Sequence, residues 1–393
     1  MNRLNIVLIA FSLMMIFAKV AQDPFLNGLQ VVLNDLQISI ELVAFLLMML
    51  LVGFFAVLAS YSEGKVKPLL LIGCAVLIAC VFISLVQFEP DDEMLLSYFA
   101  YHSLLAGQNP YAINYITSLK PALAHVGEQG SALLNGSIAS YYSYPALYIL
   151  VQVPFFMLAV PSYNLLGPLG MPLEYIAFFA VLVYAYYLFV KEHHMTLPSY
   201  SALMLYCITF LVFSSTVIIL ALALMTFLYT SWGKRHAWLL LGLLASLQQQ
   251  MWIFVVLYIA WVYGLKGWRS GLQCAGMAFG VFMLINGYFI ALSPSAYFGA
   301  FMRVLGLVPD NIAPIGGILE MLGVPSIIMG ALVGLSTILL ALWLMRGKTL
   351  GRWVPLLSAV PYIFIAHALP VYFVLPFAAH SFIQSGVNGQ EDA

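Results

Sequence analysis

Asp91, Asp92 and Glu93 are the residues of this chain best placed to do chemistry. With Glu89 they put four carboxylates into five positions, directly after an apolar run at 69–88. Charge without a purpose is avoided within a turn of a membrane exit. A carboxylate kept there is a candidate general base for a hydroxyl group. The plain alternative is a solvated loop start, or a helix N-terminus at which carboxylates are favoured. Neighbours on a helix differ by about 100° in direction, so one of Asp91 and Asp92 can face an acceptor squarely. The expected base is Asp92, with Asp91 its competitor and Glu93 orienting acceptor or base.

Three further polar features stand out. Arg303 is a lone arginine in the loop region 293–325, and its planar fork of donors suits a phosphate. A simple lipid-headgroup contact, or pairing with Asp310, is the alternative. Gln248, Gln249 and Gln250 interrupt an apolar stretch, where three amides are costly unless protein or a watery cavity surrounds them. His367 lies inside a late apolar run, which makes it a functional candidate by default. His102 and His125 show no converging ligand spacing, so no metal site is expected. No cofactor is expected either, although a divalent cation stays open. Cys74, Cys80, Cys207 and Cys274 lie in or beside apolar runs without CxxC spacing and read as small core residues.

The elements that must position these residues are apolar helices. The chain of 393 residues is 64% hydrophobic and 7% charged, against about a quarter charged in a soluble domain. That composition, with a net charge of −1, points to lipid and gives no footing for a nucleic-acid partner. Candidate spans fall at 5–20, 42–60, 69–88, 173–190, 198–213, 214–231, 272–292 and 326–345, with one or two more in 354–384. The sequence thus predicts an all-α, polytopic membrane protein of about 10–12 membrane segments, forming a single transmembrane domain over 1–393. Lys19 after the first apolar run disfavours signal cleavage, so that run is expected to stay as an anchor. Arg3, Lys65, Lys67, Lys191, Lys234, Arg235, Lys266, Arg269, Arg346, Lys348 and Arg352 define the cytoplasmic side. Loops 89–143 and 293–325 then face the exterior.

Two places break simple alternation. The 27 residues of 237–263 are flanked by basic residues at both ends, so they cannot cross once. They are too few to cross twice as full spans. A hairpin of two short helices with its tip at Gln248–Gln250 satisfies both ends. Residues 144–160 are expected to enter from outside and return, or to lie partly in the interface, beginning at the tyrosine cluster Tyr141, Tyr142 and Tyr144, which suits headgroup depth. Residues 94–106 are expected to form an interfacial helix carrying Leu95, Leu96, Phe99, Leu104 and Leu105.

Asp92-Glu93, a helix with Tyr98 and Tyr101, and then Gly107, Asn109, Pro110 and Tyr111 together resemble the first exterior loop of the GT-C superfamily. Its members are integral-membrane glycosyltransferases that use polyprenyl-phosphate sugars. Tyr144-Pro145 is similar to the Tyr-Pro-Pro helix start of bacterial polyprenol-phosphate-mannose-type transferases, with Ala146 where the second proline stands. The hairpin 237–263 resembles one that usually carries a lysine near its tip, where this chain has Gln248 to Gln250. The resemblance covers roughly residues 69–270. It implies inverting transfer of a sugar, on the mannosyltransferase pattern, from a polyprenyl-phosphate donor to a glycan, lipid or protein hydroxyl on the exterior face. Asp92, Asp91 and Glu93 would be catalytic. Arg303, Tyr98, Asn109, Tyr111, Tyr144, Gln248, Gln249, Gln250 and His367 would bind substrate. A secondary transporter or lipid-linked-sugar flippase is the rival, since broken helices and mid-membrane polar groups fit one. The surface position of the carboxylates and the lack of a visible inverted repeat count against it. Walker and Rossmann glycine patterns are missing from the sequence, so a nucleotide-sugar donor is not expected.

Overall fold

The structure, a computed structural model, describes residues 92–126, 130–133, 136–158, 167–193, 216–231 and 234–304, with scattered helical residues between 332 and 360. The expected spans at 5–20, 42–60, 69–88 and 198–213 lie outside the described residues, as do Asp91, Asp310 and His367. The regular structure of the described residues is helical. Its elements are α1 (Asp92–Leu105), a 3₁₀ turn (Pro110–Ala112), α2 (Ile116–Val126), α3 (Ala146–Phe156), α4 (Gly167–His193), α5 (Thr216–Thr230), α6 (Ala237–Leu247), α7 (Met251–Lys266), α8 (Trp268–Leu292) and α9 (Pro294–Val304). Extended pairing among the described residues is limited to two isolated antiparallel bridges, Asn114 with Tyr141 and Ala132 with Ile138.

Contacts divide the chain into two compact units. One comprises Met1–Phe88, Pro172–Thr230 and Gln384–Asn388, and holds α5 with most of α4. There Tyr184 meets the edge of Phe227 at 6.4 Å, and the Thr226 hydroxyl turns back onto the Leu222 carbonyl at 2.8 Å. The other comprises Glu89–Met171, Ser231–Ile383 and Gly389–Ala393, and carries every described candidate residue.

In that second unit, local chemistry accounts for the start of the fold. Asp92 and Glu93 occupy the first turn of α1, where unpaired N–H groups favour negative charge. The helix stops at Gly107, whose φ of 71° places it in the left-handed region. The Gly107 N–H reaches the Leu104 carbonyl at 3.0 Å and the Gln108 N–H reaches that of Ser103 at 2.9 Å, the two bonds of a Schellman closure. The Asn109 side chain then accepts from the Tyr111 N–H at 3.1 Å and opens the 3₁₀ turn. Pro110 takes the turn's first position, where no N–H is needed. The segment Gly107 to Tyr111 is therefore a helix stop, a cap and a chain reversal in succession.

The interfacial helix expected over 94–106 is not what forms. Met94 to Tyr98, Ala100, Tyr101 and Ser103 of α1 are all buried, which spans more than one face. Both α2 and α3 pack on α1. A helix held between two others keeps no wide polar stripe.

Of the expected segment 144–160, Ala146–Phe156 forms α3, which starts directly after Pro145 and turns out at Met157. Its 11 residues reach about 16 Å, roughly half of a bilayer's hydrocarbon thickness. The hairpin expected over 237–263 is present as α6 and α7, joined at Gln248–Gln250. Both helices pack on α8. Gly242 permits the closest approach. A Cβ there would stand 2.5 Å from the Ala278 carbonyl oxygen and 2.6 Å from the Val281 Cβ. Among the described residues, α8 is the helix long and apolar enough to cross a membrane. Only 17% of its most apolar window is buried, whereas a soluble core helix would be mostly covered. Leu272, Phe279, Leu284, Tyr288 and Leu292 are exposed along it.

Candidate functional site

The α1 N-terminus is held from two sides. Asp92 Oδ2 accepts the Ser131 N–H at 2.7 Å. Glu93 Oε1 accepts from the Tyr148 hydroxyl of α3. Both carboxylates are half-buried. Their positions are set by a loop 39 residues away and a helix 55 residues away. The Tyr148 ring is itself stacked on Tyr144 at 4.3 Å, with the planes 22° apart. The Tyr144 carbonyl accepts the Tyr111 hydroxyl at 2.8 Å. Glu93, Tyr148, Tyr144 and Tyr111 are thus linked in series, from the first turn of α1 to the 3₁₀ turn that follows it.

Asp92 grips one arm of a small hairpin. The Leu133 N–H donates to Ser137 and the Ala139 N–H to Ser131, at 2.7 and 2.8 Å. The far arm continues to Tyr141, which bridges to Asn114. Arg303, in the last turn of α9, lies over the Tyr141 ring at 3.6 Å. The two share the lining of a cavity of about 330 Å³ with Asn114, Ser140, Ser143 and Ala300. Among the described residues no carboxylate pairs with Arg303. Asp92 and Arg303 therefore hold opposite arms of one hairpin.

Tyr111, fully buried, is the anchor of the following turn. Its ring meets Tyr297 at 4.7 Å, Tyr142 at 5.4 Å and Phe289 at 5.5 Å. Burial pushes its hydroxyl well above the ordinary tyrosine range, and that of Tyr142 likewise, where Tyr297 and Glu93 add to the effect. Tyr142 is thus core, not a headgroup-level belt residue. Tyr115 is pushed up to about 12 by burial, opposed by its hydrogen bond to Ser103 at 3.1 Å. Tyr98 is packed edge-on against Phe156 at 5.7 Å and His102 at 4.5 Å. The His102 side chain remains exposed, and His125 is exposed near the end of α2. Among the described residues no three His, Cys, Asp or Glu side chains converge on a metal-sized space.

The residue that sequence reasoning missed is Asn286. It is fully buried in α8 and uses both ends of its amide. Oδ1 accepts the Ala146 N–H and the Tyr297 hydroxyl, each at 2.8 Å. Nδ2 donates to Ser246 Oγ at 3.0 Å and to the Phe282 carbonyl at 2.9 Å. One side chain thereby ties the start of α3 to α6, α8 and α9. An amide deep inside the apolar run 272–292, far from Gln273 at its start, was the available signal.

Gln248, at the hairpin tip, is 1% exposed, and among the described residues neither its Oε1 nor its Nε2 has a partner. Gln249 and Gln250 are half-buried. Comparison with family models, curated proteins and solved structures finds no match.

Proposed function

We propose that the protein is a multi-pass membrane glycosyltransferase. It moves a sugar from a polyprenyl-phosphate donor to an acceptor hydroxyl on the exterior face, with inversion. The observation that carries this reading is the pair Asp92–Glu93. It stands at a helix start and is oriented by groups from two distant segments, the Ser131 amide and the Tyr148 hydroxyl. In the step proposed, the acceptor oxygen forms a bond to the anomeric carbon as the bond to the donor phosphate oxygen breaks. The acceptor proton passes to Asp92. The departing phosphate gains a charge, which Arg303 would stabilise. Glu93, fixed by Tyr148, orients the acceptor, and such positioning supplies much of the rate.

The exposed apolar length of α8 supports the membrane setting. So do Trp268 and Arg269 at its start, with the guanidinium 5.6 Å from the indole. In that setting the α6–α7 hairpin re-enters the bilayer from the cytoplasmic side. The rival reading, a transporter or lipid-linked-sugar flippase, draws on one observation, the buried amide of Gln248, which has no partner among the described residues.

The test is transfer of radiolabel from a panel of polyprenyl-phosphate sugars to membrane acceptors. Asp92→Asn keeps volume and an acceptor for the Ser131 amide but removes the basic carboxylate. Transfer should fall by at least about a hundredfold, within the range of general-base catalysis, with little change in expression. Asp91→Asn is the control. Wild-type rates in both single variants and in the double variant would move the transporter reading ahead. Impermeant cysteine labelling gives the topology: introduced cysteines in 89–143 should react in intact cells, and those at 232–236 should not.

A further inference from the structure

We propose that the cavity beside Arg303 is a headgroup subsite, taking the phosphate and the adjoining ring of one phosphorylated sugar. The assignment rests on the transferase reading for the headgroup's part in the reaction, and on geometry for its chemistry. At about 330 Å³ the cavity lies at the small end of the roughly 300–1,000 Å³ range of ligand pockets. That suits one sugar phosphate and not a polyprenyl chain.

Among the described residues the lining carries one cation and no carboxylate, so their field favours an anion. Arg303 is held by stacking on Tyr141, which uses the face of the guanidinium and leaves its N–H edge for a forked contact with phosphate oxygens. Hydroxyl and amide groups supply the remaining recognition. The Asn114 Oδ1 is committed to the Ser140 hydroxyl at 2.7 Å and to the Ile116 N–H at 3.0 Å, so Asn114 offers its Nδ2 donors. Ser143 is more than nine-tenths buried and lines the cavity. Its hydroxyl can donate and accept, which suits a sugar hydroxyl or a phosphate oxygen. The cavity also adjoins the chemistry. Its Ala139–Tyr141 wall is the hairpin arm paired to Ser131, the residue that holds Asp92.

The experiment is calorimetric titration of the purified full chain in lipid nanodiscs with three probes: hexose 1-phosphate, inorganic phosphate and a neutral methyl hexoside. Hexose 1-phosphate should bind best, inorganic phosphate more weakly, and the neutral sugar not measurably. Arg303→Gln should weaken hexose 1-phosphate by at least about tenfold through loss of a charge-assisted contact. Arg303→Lys, which keeps the charge and loses the fork, should fall between. Ser143→Ala should weaken it by a smaller factor. A short-chain polyprenyl-phosphate hexose should compete for the same site. Equal binding by wild type and Arg303→Gln, equal binding of the neutral sugar, or failure of the lipid donor to compete would each overturn the assignment. Binding that follows this pattern without transfer to any acceptor would remove the transferase reading and leave the anion site. Transfer with unchanged KM in Arg303→Gln would remove the subsite and leave the transferase.

Discussion

The start of α1 and the tip of the α6–α7 hairpin are two places where this apolar chain buries polar side chains, and it treats them in opposite ways. At the start of α1, Asp92 and Glu93 each meet a donor from a distant segment. Asn286, which fixes the beginning of the α3 helix that carries Tyr148, has both ends of its amide engaged. At the hairpin tip, Gln248 is as buried as Asn286, and among the described residues neither end of its amide is engaged. Net stabilisation from a made hydrogen bond is about 1 kcal/mol, whereas a stranded buried group costs about 1–3 kcal/mol. The first region is therefore built for rigidity. The second holds a polar group at a thermodynamic cost, the arrangement expected of a group kept for something other than stability.

The largest effect on this contrast should come from Asn286→Leu. It strands the Ala146 N–H and the Tyr297 hydroxyl in a buried setting, while the Ser246 hydroxyl keeps its bond to the Gly242 carbonyl. The expected loss is on the order of 3–5 kcal/mol, read as a lower unfolding midpoint in detergent. Loss of under about 1 kcal/mol would mean that water replaces the amide, and the first region would not be the rigid one. Transfer should also suffer in the folded fraction, because α3 carries the tyrosine that orients Glu93.

A smaller effect belongs to Gly107→Ala. An added Cβ meets nothing within 4 Å, so its cost is purely conformational. With φ at 71°, about 1–2 kcal/mol is expected for an L-residue. Stability unchanged on substitution would show that the Schellman closure does not set the path from α1 to Tyr111. A pH test bears on the same segment. Tyr115 is raised in the folded protein to about 12, while the unfolded side chain titrates near its ordinary value of 10.0. Its contribution is complete below the unfolded value and is lost as pH climbs from there toward about 12. Tyr115→Phe should flatten that part of the alkaline stability profile.

What could be read beforehand follows the same division. Gly107, Asn109 and Pro110 were legible because stop, cap and turn are local chemistry. The hairpin tip at Gln248–Gln250 was legible because basic residues at both ends and a short length allow few other solutions. The burial of α1 was not, because which faces are covered depends on α2 and α3, and its leucine spacing alone resembles an interfacial helix. Nor were the partners of Asn286, since Ala146 lies 140 positions away and Ser246 lies 40. The Asp92-to-Ser131 and Glu93-to-Tyr148 bonds were hidden for the same reason. Polar residues could be singled out by type, but what holds them is set by tertiary packing.

The smallest stability change, and the one of opposite sign, is expected from Gln248→Leu. Leucine is close to glutamine in volume, so the swap adds little strain. It removes an amide whose two polar atoms are unpartnered in a site 1% exposed. Relief of that desolvation should leave stability unchanged or raise it by up to about 1 kcal/mol. If the amide contacts substrate or a lipid-linked headgroup, transfer should drop in the same variant while its unfolding midpoint holds or climbs. Replacing Gln249 and Gln250 as well should deepen the loss of transfer more than the loss of abundance. A clear fall in stability for Gln248→Leu would show that the amide is satisfied, and the contrast between the two regions would collapse. A stable, fully active triple variant would keep the contrast but reduce the tip to packing, leaving Asp92, Glu93 and Arg303 to carry the function alone.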